Sequence, residues 1–207
     1  RDRWNNIHSA FTVLPFPIKI CYNKCVAQCN PRIYFFSFYE SGNEEIMAFD
    51  GVTIACVISE LKKELIGGRL YKIAQPENDE LLLTIKQPTG QKRLLLSASA
   101  SLPLIYLTET NKPSPMTAPN FCMLLRKHLQ NGRIVNISQP GLERIVHIDI
   151  EHLDEMGDLR HKTLVMELMG KHSNLIFCND DNTIIDSIKH VSSAVSSVRE
   201  VLPGRPY

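Results

Sequence analysis

The sequence predicts an α+β fold of mainly antiparallel sheets with a few packed helices. Three observations lead there. Two stretches carry apolar residues at helical spacing, many short runs have strand composition, and the connections between those runs are too short for the helical crossovers that parallel strands need. With 43% hydrophobic residues among 207, the chain has ample material for a core, which argues against global disorder.

In chain order, residues 1–46 come first and differ from the rest. Trp4, Phe11, Phe16, Tyr22, Tyr34, Phe35, Phe36, Phe38 and Tyr39 lie among prolines and cysteines with neither strand nor helix periodicity. Cys21, Cys25 and Cys29 share a helical face, but zinc wants a fourth ligand and tighter cysteine pairs, so no metal is expected. The texture changes at Met47, and Glu44-Glu45 can be encoded by a purine-rich ribosome-binding sequence just upstream of it. The expectation is that 1–46 is a translated, irregular leader and that the domain proper runs over 47–207.

From 53 to 66, Ile54, Val57, Ile58, Leu61 and Leu65 recur at helical spacing, and Gly67-Gly68 stops the helix. Strands are expected over 69–75, 80–86 and 92–98, separated by the turns Pro76-Glu77-Asn78-Asp79 and Pro88-Thr89-Gly90-Gln91, with a shorter strand over 104–107. Pro113, Pro115 and Pro119 make 111–120 an extended loop. Phe121, Leu124, Leu125 and Leu129 then mark a second helix, closed by Asn131-Gly132. Further strands are expected at 134–138, 144–151, 163–169, 173–178 and 183–187, giving two sheets. Asn179-Asp180-Asp181-Asn182 reads as a turn, since it lacks the spaced ligands of a calcium loop.

The 23 Lys+Arg against 22 Asp+Glu leave a formal charge of +1. Any binding to nucleic acid must therefore come from a local patch. No run reaches the ~18–20 apolar residues of a membrane span, and the start lacks the order of a secretory signal. The expected compartment is the cytosol, with reduced thiols. Cys56, Cys122 and Cys178 lie in apolar surroundings and are expected in the core. His172, Asn174, Lys189 and His190 come without a nucleophile or metal set, so structural hydrogen bonds are expected of them.

Six strings together carry a more specific signal: Met47-Ala-Phe-Asp-Gly-Val, Gly67-Gly-Arg69-x-x-Lys72-Ile-x-Gln75-Pro76, Phe121-Cys-Met-Leu-Leu-Arg-Lys-His128, Met169-Gly-Lys-His-Ser-Asn174, Asp186-Ser-Ile-Lys-His190 and Val201-Leu-Pro-Gly204. As a set they resemble the NFACT-N domain of the RqcH/NEMF family over 47–207. That family includes bacterial RqcH, also named as fibronectin- or fibrinogen-binding proteins, and eukaryotic NEMF. The resemblance implies a fold similar to the N-terminal domain of formamidopyrimidine-DNA glycosylases. It also implies a cytoplasmic, ribosome-associated quality-control factor that is not an enzyme and needs no cofactor. Such a factor binds an obstructed large ribosomal subunit with its nascent peptidyl-tRNA, recruits alanyl-tRNA and promotes template-free alanine tailing; the family's C-terminal modules are absent up to Tyr207, so the expectation is a fragment or a truncated gene product. By transfer, Asp50 and the pair Glu143-Arg144 are the tRNA-binding and tailing residues. The family carries Asp-Arg at that pair, and Glu143 keeps the charge while lengthening its reach by one methylene.

On the residues alone, Arg144 shares the parity of Val146, Ile148 and Ile150, which leaves two readings open. Either a carboxylate such as Glu143 or Asp50 neutralises it as a structural ion pair, or it sits at the strand end and offers its planar fork to tRNA. Arg126, Lys127 and His128 are possible RNA backbone contacts, set against an ordinary solvated helix face. Two other functions compete. A glycosylase of the similar fold uses an N-terminal proline amine, which neither Arg1-Asp2 nor Met47-Ala48 supplies. A fibronectin-binding adhesin requires export, for which the sequence shows no signal or anchor.

Overall fold

Asp50 opens the first helix of the described residues. Its carboxylate accepts from the Thr53 backbone N–H at 2.8 Å, satisfying one of the first-turn donors that a helix leaves free. The helix α1 spans Gly51–Leu65 and buries Ile54, Val57, Ile58, Leu61 and Leu65, the expected stripe. The computed structural model describes residues 50–207 other than 155 and 197. The leader reading of 1–46, the start at Met47 and the cysteines 21, 25 and 29 lie outside the described residues.

Four strands follow α1: β1 Arg69–Ala74, β2 Glu80–Gln87, β3 Gly90–Ser97 and β4 Leu104–Thr108. The second helix, α2, covers Asn120–Leu129, and then come β5 Arg133–Ser138, β6 Ile145–Leu153, β7 Leu159–Glu167, β8 Asn174–Asn179 and β9 Ile184–Ser187. Every neighbouring pair is antiparallel. The β7 strand starts earlier than the apolar alternation suggests, because Leu159 to Lys162 extend the hairpin with β6 as a largely exposed ribbon.

The expectation of two sheets is wrong. The strands form one nine-stranded sheet in the order β4-β3-β2-β1-β5-β6-β7-β8-β9. Its two meanders meet at β1 and β5, which share one register pair, Arg69 with Arg133. Four backbone hydrogen bonds close this seam: Gly67 N–H to Ile134 O at 2.8 Å, Ile134 N–H to Gly68 O at 2.9 Å, Leu70 N–H to Gly132 O at 2.8 Å and Asn131 N–H to Leu70 O at 2.8 Å. Two glycines flanking the seam lie tight against the next strands on either side. A Cβ on Gly68 would lie 2.4 Å from the Ile85 Cγ2, and one on Gly132 would lie 2.7 Å from the Ile150 Cγ2.

Both helices bridge the seam: α1 packs on β4 and β5, and α2 on β1 and β6. The α2 His128 ring stands 6.0 Å from that of Phe177 on β8. Side chains alternate along a strand, so Ile176 and Cys178 face the other way. There they join Val165, Ile184 and Val201, with Val191 and Tyr207 packed alongside. The C-terminal stretch therefore covers the second face of this half, which is why β8 reads as a continuous apolar run.

Because the added methyl of Gly68→Ala must displace the Ile85 side chain on β2, that change is expected to lower stability by about 1–3 kcal/mol. Gly67→Asn is expected to lower it less, since φ is 82° there with nothing within 4 Å and Asn tolerates that conformation. Urea midpoints at constant m rank the two, and equal midpoints would mean that the close approach at Gly68 is not a constraint.

Candidate functional site

The Asp50 cap and the Glu143-Arg144 pair come to the same end of the molecule. Residues 139–144 join β5 to β6 through a turn in which Glu143 N–H donates to Pro140 O at 3.0 Å and Gly141 takes φ 54°. This turn lies directly on the first residue of α1. A Cβ on Gly51 would sit 1.9 Å from the Leu142 carbonyl oxygen, so only glycine allows the contact. Gln139 holds the two together, its Nε2 donating to Gly51 O at 2.9 Å and to Glu143 O at 2.7 Å. In the Phe-Asp-Gly string, then, Asp50 starts the helix and Gly51 admits the turn.

Glu143 and Arg144 are both exposed. The β6 strand begins one residue later, with Val146, Ile148 and Ile150 buried, so Arg144 leaves the sheet before its parity can carry it into the core. Its carbonyl accepts from Leu168 N–H at 2.8 Å, fixing the backbone. Neither Glu143 nor Arg144 has an ion-pair partner among the described residues. The arrangement is a rigid turn with a carboxylate, a free guanidinium and the exposed Leu142 at its tip.

The cluster on α2 is dispersed. Successive helical residues point about 100° apart. Arg126 is half-buried and donates through Nε to Ile73 O at 2.8 Å, tying α2 to β1. His128 lies against Phe177, and Lys127 is exposed. The C-terminal set is structural in its visible contacts. Asn174 is buried, donates to Lys189 O at 2.8 Å and accepts from Leu175 N–H and Lys189 N–H. His190 meets Asp186 at 2.6 Å, and the Lys189 ammonium donates to Ala98 O. Cys122 and Cys178 are buried, whereas Cys56 is half-buried. Burial pushes the Cys122 thiol up and the Cys178 thiol to about 11, so neither is a thiolate near neutrality.

One polar cluster has no counterpart in the sequence reading. Glu167, 4% exposed, accepts from Arg199 at 2.7 Å and from the Tyr207 hydroxyl at 3.1 Å. The Arg199 guanidinium also lies 4.8 Å over the Tyr207 ring. This cluster closes the C-terminal stretch onto β7. No spacing signals it, because the three residues are far apart in the chain.

The family described as NFACT N-terminal and middle domains matches residues 50–207. The Rqc2 homolog RqcH of Bacillus subtilis is 40% identical over 162 residues, which is 78% of this chain and 28% of that protein. Ribosome quality control complex subunit NEMF of Mus musculus is 33% identical over 151 residues, 73% of this chain and 13% of that one. The chain thus spans under a third of the length of these relatives. Among solved structures, the N-terminal domain of the fibronectin-binding protein PavA from Streptococcus pneumoniae matches with a TM-score of 0.74 at 41% identity, covering 77% of this chain and 60% of that one. The fibrinogen-binding protein from Staphylococcus aureus gives 0.68 at 37%, with coverage of 78% and 56%.

Asp50→Ala is expected to cost about 1 kcal/mol of stability through the lost cap, and Asp50→Asn close to nothing, since Asn caps equally well. A comparison of thermal melts decides; two equally destabilised variants would show that the charge, not the cap bond, is what the fold uses.

Proposed function

Since this chain belongs to the family of NFACT N-terminal and middle domains, whose curated relatives include ribosome quality-control proteins, we propose that its 139–144 turn engages tRNA on obstructed large ribosomal subunits. One observation carries this reading: Arg144 is exposed, held on a turn that Gln139 clamps to α1, and without an ion-pair partner among the described residues. A guanidinium so placed offers several donors in a fixed plane to a phosphate or a base edge. Glu143 beside it accepts from base amino groups and repels a misplaced phosphate.

In this reading the full-length protein works in the cytoplasm on the ribosome. It holds the nascent peptidyl-tRNA complex and recruits alanyl-tRNA for template-free alanine tailing, with Asp50, at the start of the helix on which the turn rests, as the third residue of the tRNA-handling set. The domain contributes by binding and performs no chemistry or cofactor reaction of its own. Likeness to formamidopyrimidine-DNA glycosylases would bear on the fold and not on function. Among the described residues, no helix is long and apolar enough to cross a membrane.

A second reading, binding of fibronectin or fibrinogen, is favoured by the names of the solved relatives. Capture of this chain on immobilised fibronectin, unaffected by Arg144→Ala, would support a surface separate from the turn.

In the complete parent protein, Glu143→Ala/Arg144→Ala is expected to abolish alanine tailing while leaving the fold and subunit binding mostly intact. Loss of one charge-assisted contact costs ~1.5–3 kcal/mol, roughly ten- to a hundredfold in tRNA affinity. Glu143→Asp should preserve or improve tailing. Tailing and urea unfolding are measured together: a double variant that tails normally, or that loses several kcal/mol of folding stability instead, refutes the assignment.

A further inference from the structure

The formal charge of the whole chain is only +1, yet the seam collects cations. Arg69 on β1 is the direct cross-strand partner of Lys86 on β2 and of Arg133 on β5, so three like charges form one row across the sheet. Like charges directly opposite one another are destabilising, with Cβ atoms only about 4.5–5.5 Å apart. All three side chains are exposed, and none has an ion-pair partner among the described residues. The next residue in the row, Glu151, is the register partner of Arg133, but its carboxylate turns to His161 at 3.9 Å.

The row lies in a concave wall. Arg69, Lys86 and Arg133 line an open cleft of about 580 Å³ together with Tyr71, Pro88 and Asn131, and no acidic residue lines it. The Lys86 ammonium sits 3.5 Å over the centre of the Tyr71 ring, and that ring remains 49% exposed. Uncompensated cations in a cleft are the footprint of a polyanion. The aromatic and amide side chains among them suit a ribose or base better than a bare ion.

We propose that this cleft binds the sugar–phosphate backbone of an RNA. The inference rests on the reading that the domain handles tRNA and gives it a second contact point, at the opposite end of β5 from the Glu143-Arg144 turn. Arg133 begins β5 and Ser138 ends it beside Gln139, a separation of roughly 17–20 Å along a strand. The cleft supplies affinity and register; the turn reads what is particular to tRNA.

Fluorescence anisotropy of the 207-residue chain against a labelled tRNA and a labelled RNA duplex of unrelated sequence, from about 50 to 200 mM salt, tests this. Arg69→Gln/Arg133→Gln leaves the Lys86–Tyr71 contact in place. Affinity for both RNAs is expected to fall about tenfold, and the slope of log K against log salt to lessen by about 1.4–1.8, the loss of two phosphate contacts. The melting temperature should change little, because the repulsion between Arg69 and Arg133 is lost together with the attraction between Arg133 and its other cross-strand neighbour, Glu151. Unchanged affinity and slope overturn the proposal. So do a lowered melting temperature with the slope intact, absence of binding to either RNA, and binding only to anionic lipid vesicles. Glu143→Ala/Arg144→Ala, measured on the same RNAs, separates the two sites. If tRNA preference survives that change while the cleft variant loses both RNAs, the turn reading fails and the cleft stands; the reverse pattern removes the cleft.

Discussion

The fold depends on a close backbone approach at the β1–β5 seam. Each meander is assembled from local hairpins, so its pairing costs little loop closure. The seam joins the two meanders through four backbone hydrogen bonds, and both helices pack across it. Glycine at 68 and 132 costs roughly 0.5–1 kcal/mol apiece in backbone freedom. The four backbone hydrogen bonds of the seam contribute about 0.5–1.5 kcal/mol each. The larger return is geometric: with the seam closed, α1 and α2 each have strands from both meanders to cover, and two half-cores become one.

Most elements were legible because their signals are local. Helix stripes, alternating strands and turn residues each sit within a window of a few residues, and the observed bounds of α1, β2 and β5 lie within two residues of those expected. The single sheet was not legible. Gly67-Gly68 and Asn131-Gly132 read as helix stops, which they are, and nothing in either string reports that the two stops also face each other. The candidate site divides in the same way. Periodicity put Arg144 near the start of a strand but assigned it a core-facing parity, and only the one-residue delay of the strand, imposed by the 139–144 turn, releases it to solvent. Asp50 at a helix start, three residues before Thr53, is an N-cap pattern in plain view. That Gly51 beside it meets Leu142 and is held by Gln139 is a tertiary fact, as is the Glu167, Arg199 and Tyr207 cluster.

Near-zero net charge does not stand against the proposed RNA contacts, because charge acts over short distances. At physiological ionic strength the screening length is about 8 Å, well under the roughly 17–20 Å that separates the two ends of β5. Glu143 therefore does not cancel the Lys86, Arg69 and Arg133 row, and Glu64, whose carbonyl accepts from the cleft-lining Gln87, directs its carboxylate to Lys92. What counts is which charges the fold leaves unpaired. The sheet register decides that at the seam, by setting three cations side by side, and the Gly51 contact decides it at the turn, by lifting Arg144 clear of the core. At the turn the contact requires glycine, since a Cβ at position 51 would sit 1.9 Å from the Leu142 carbonyl oxygen; at the seam the pairing of β1 with β2 and β5 is enough to set the cations in one row.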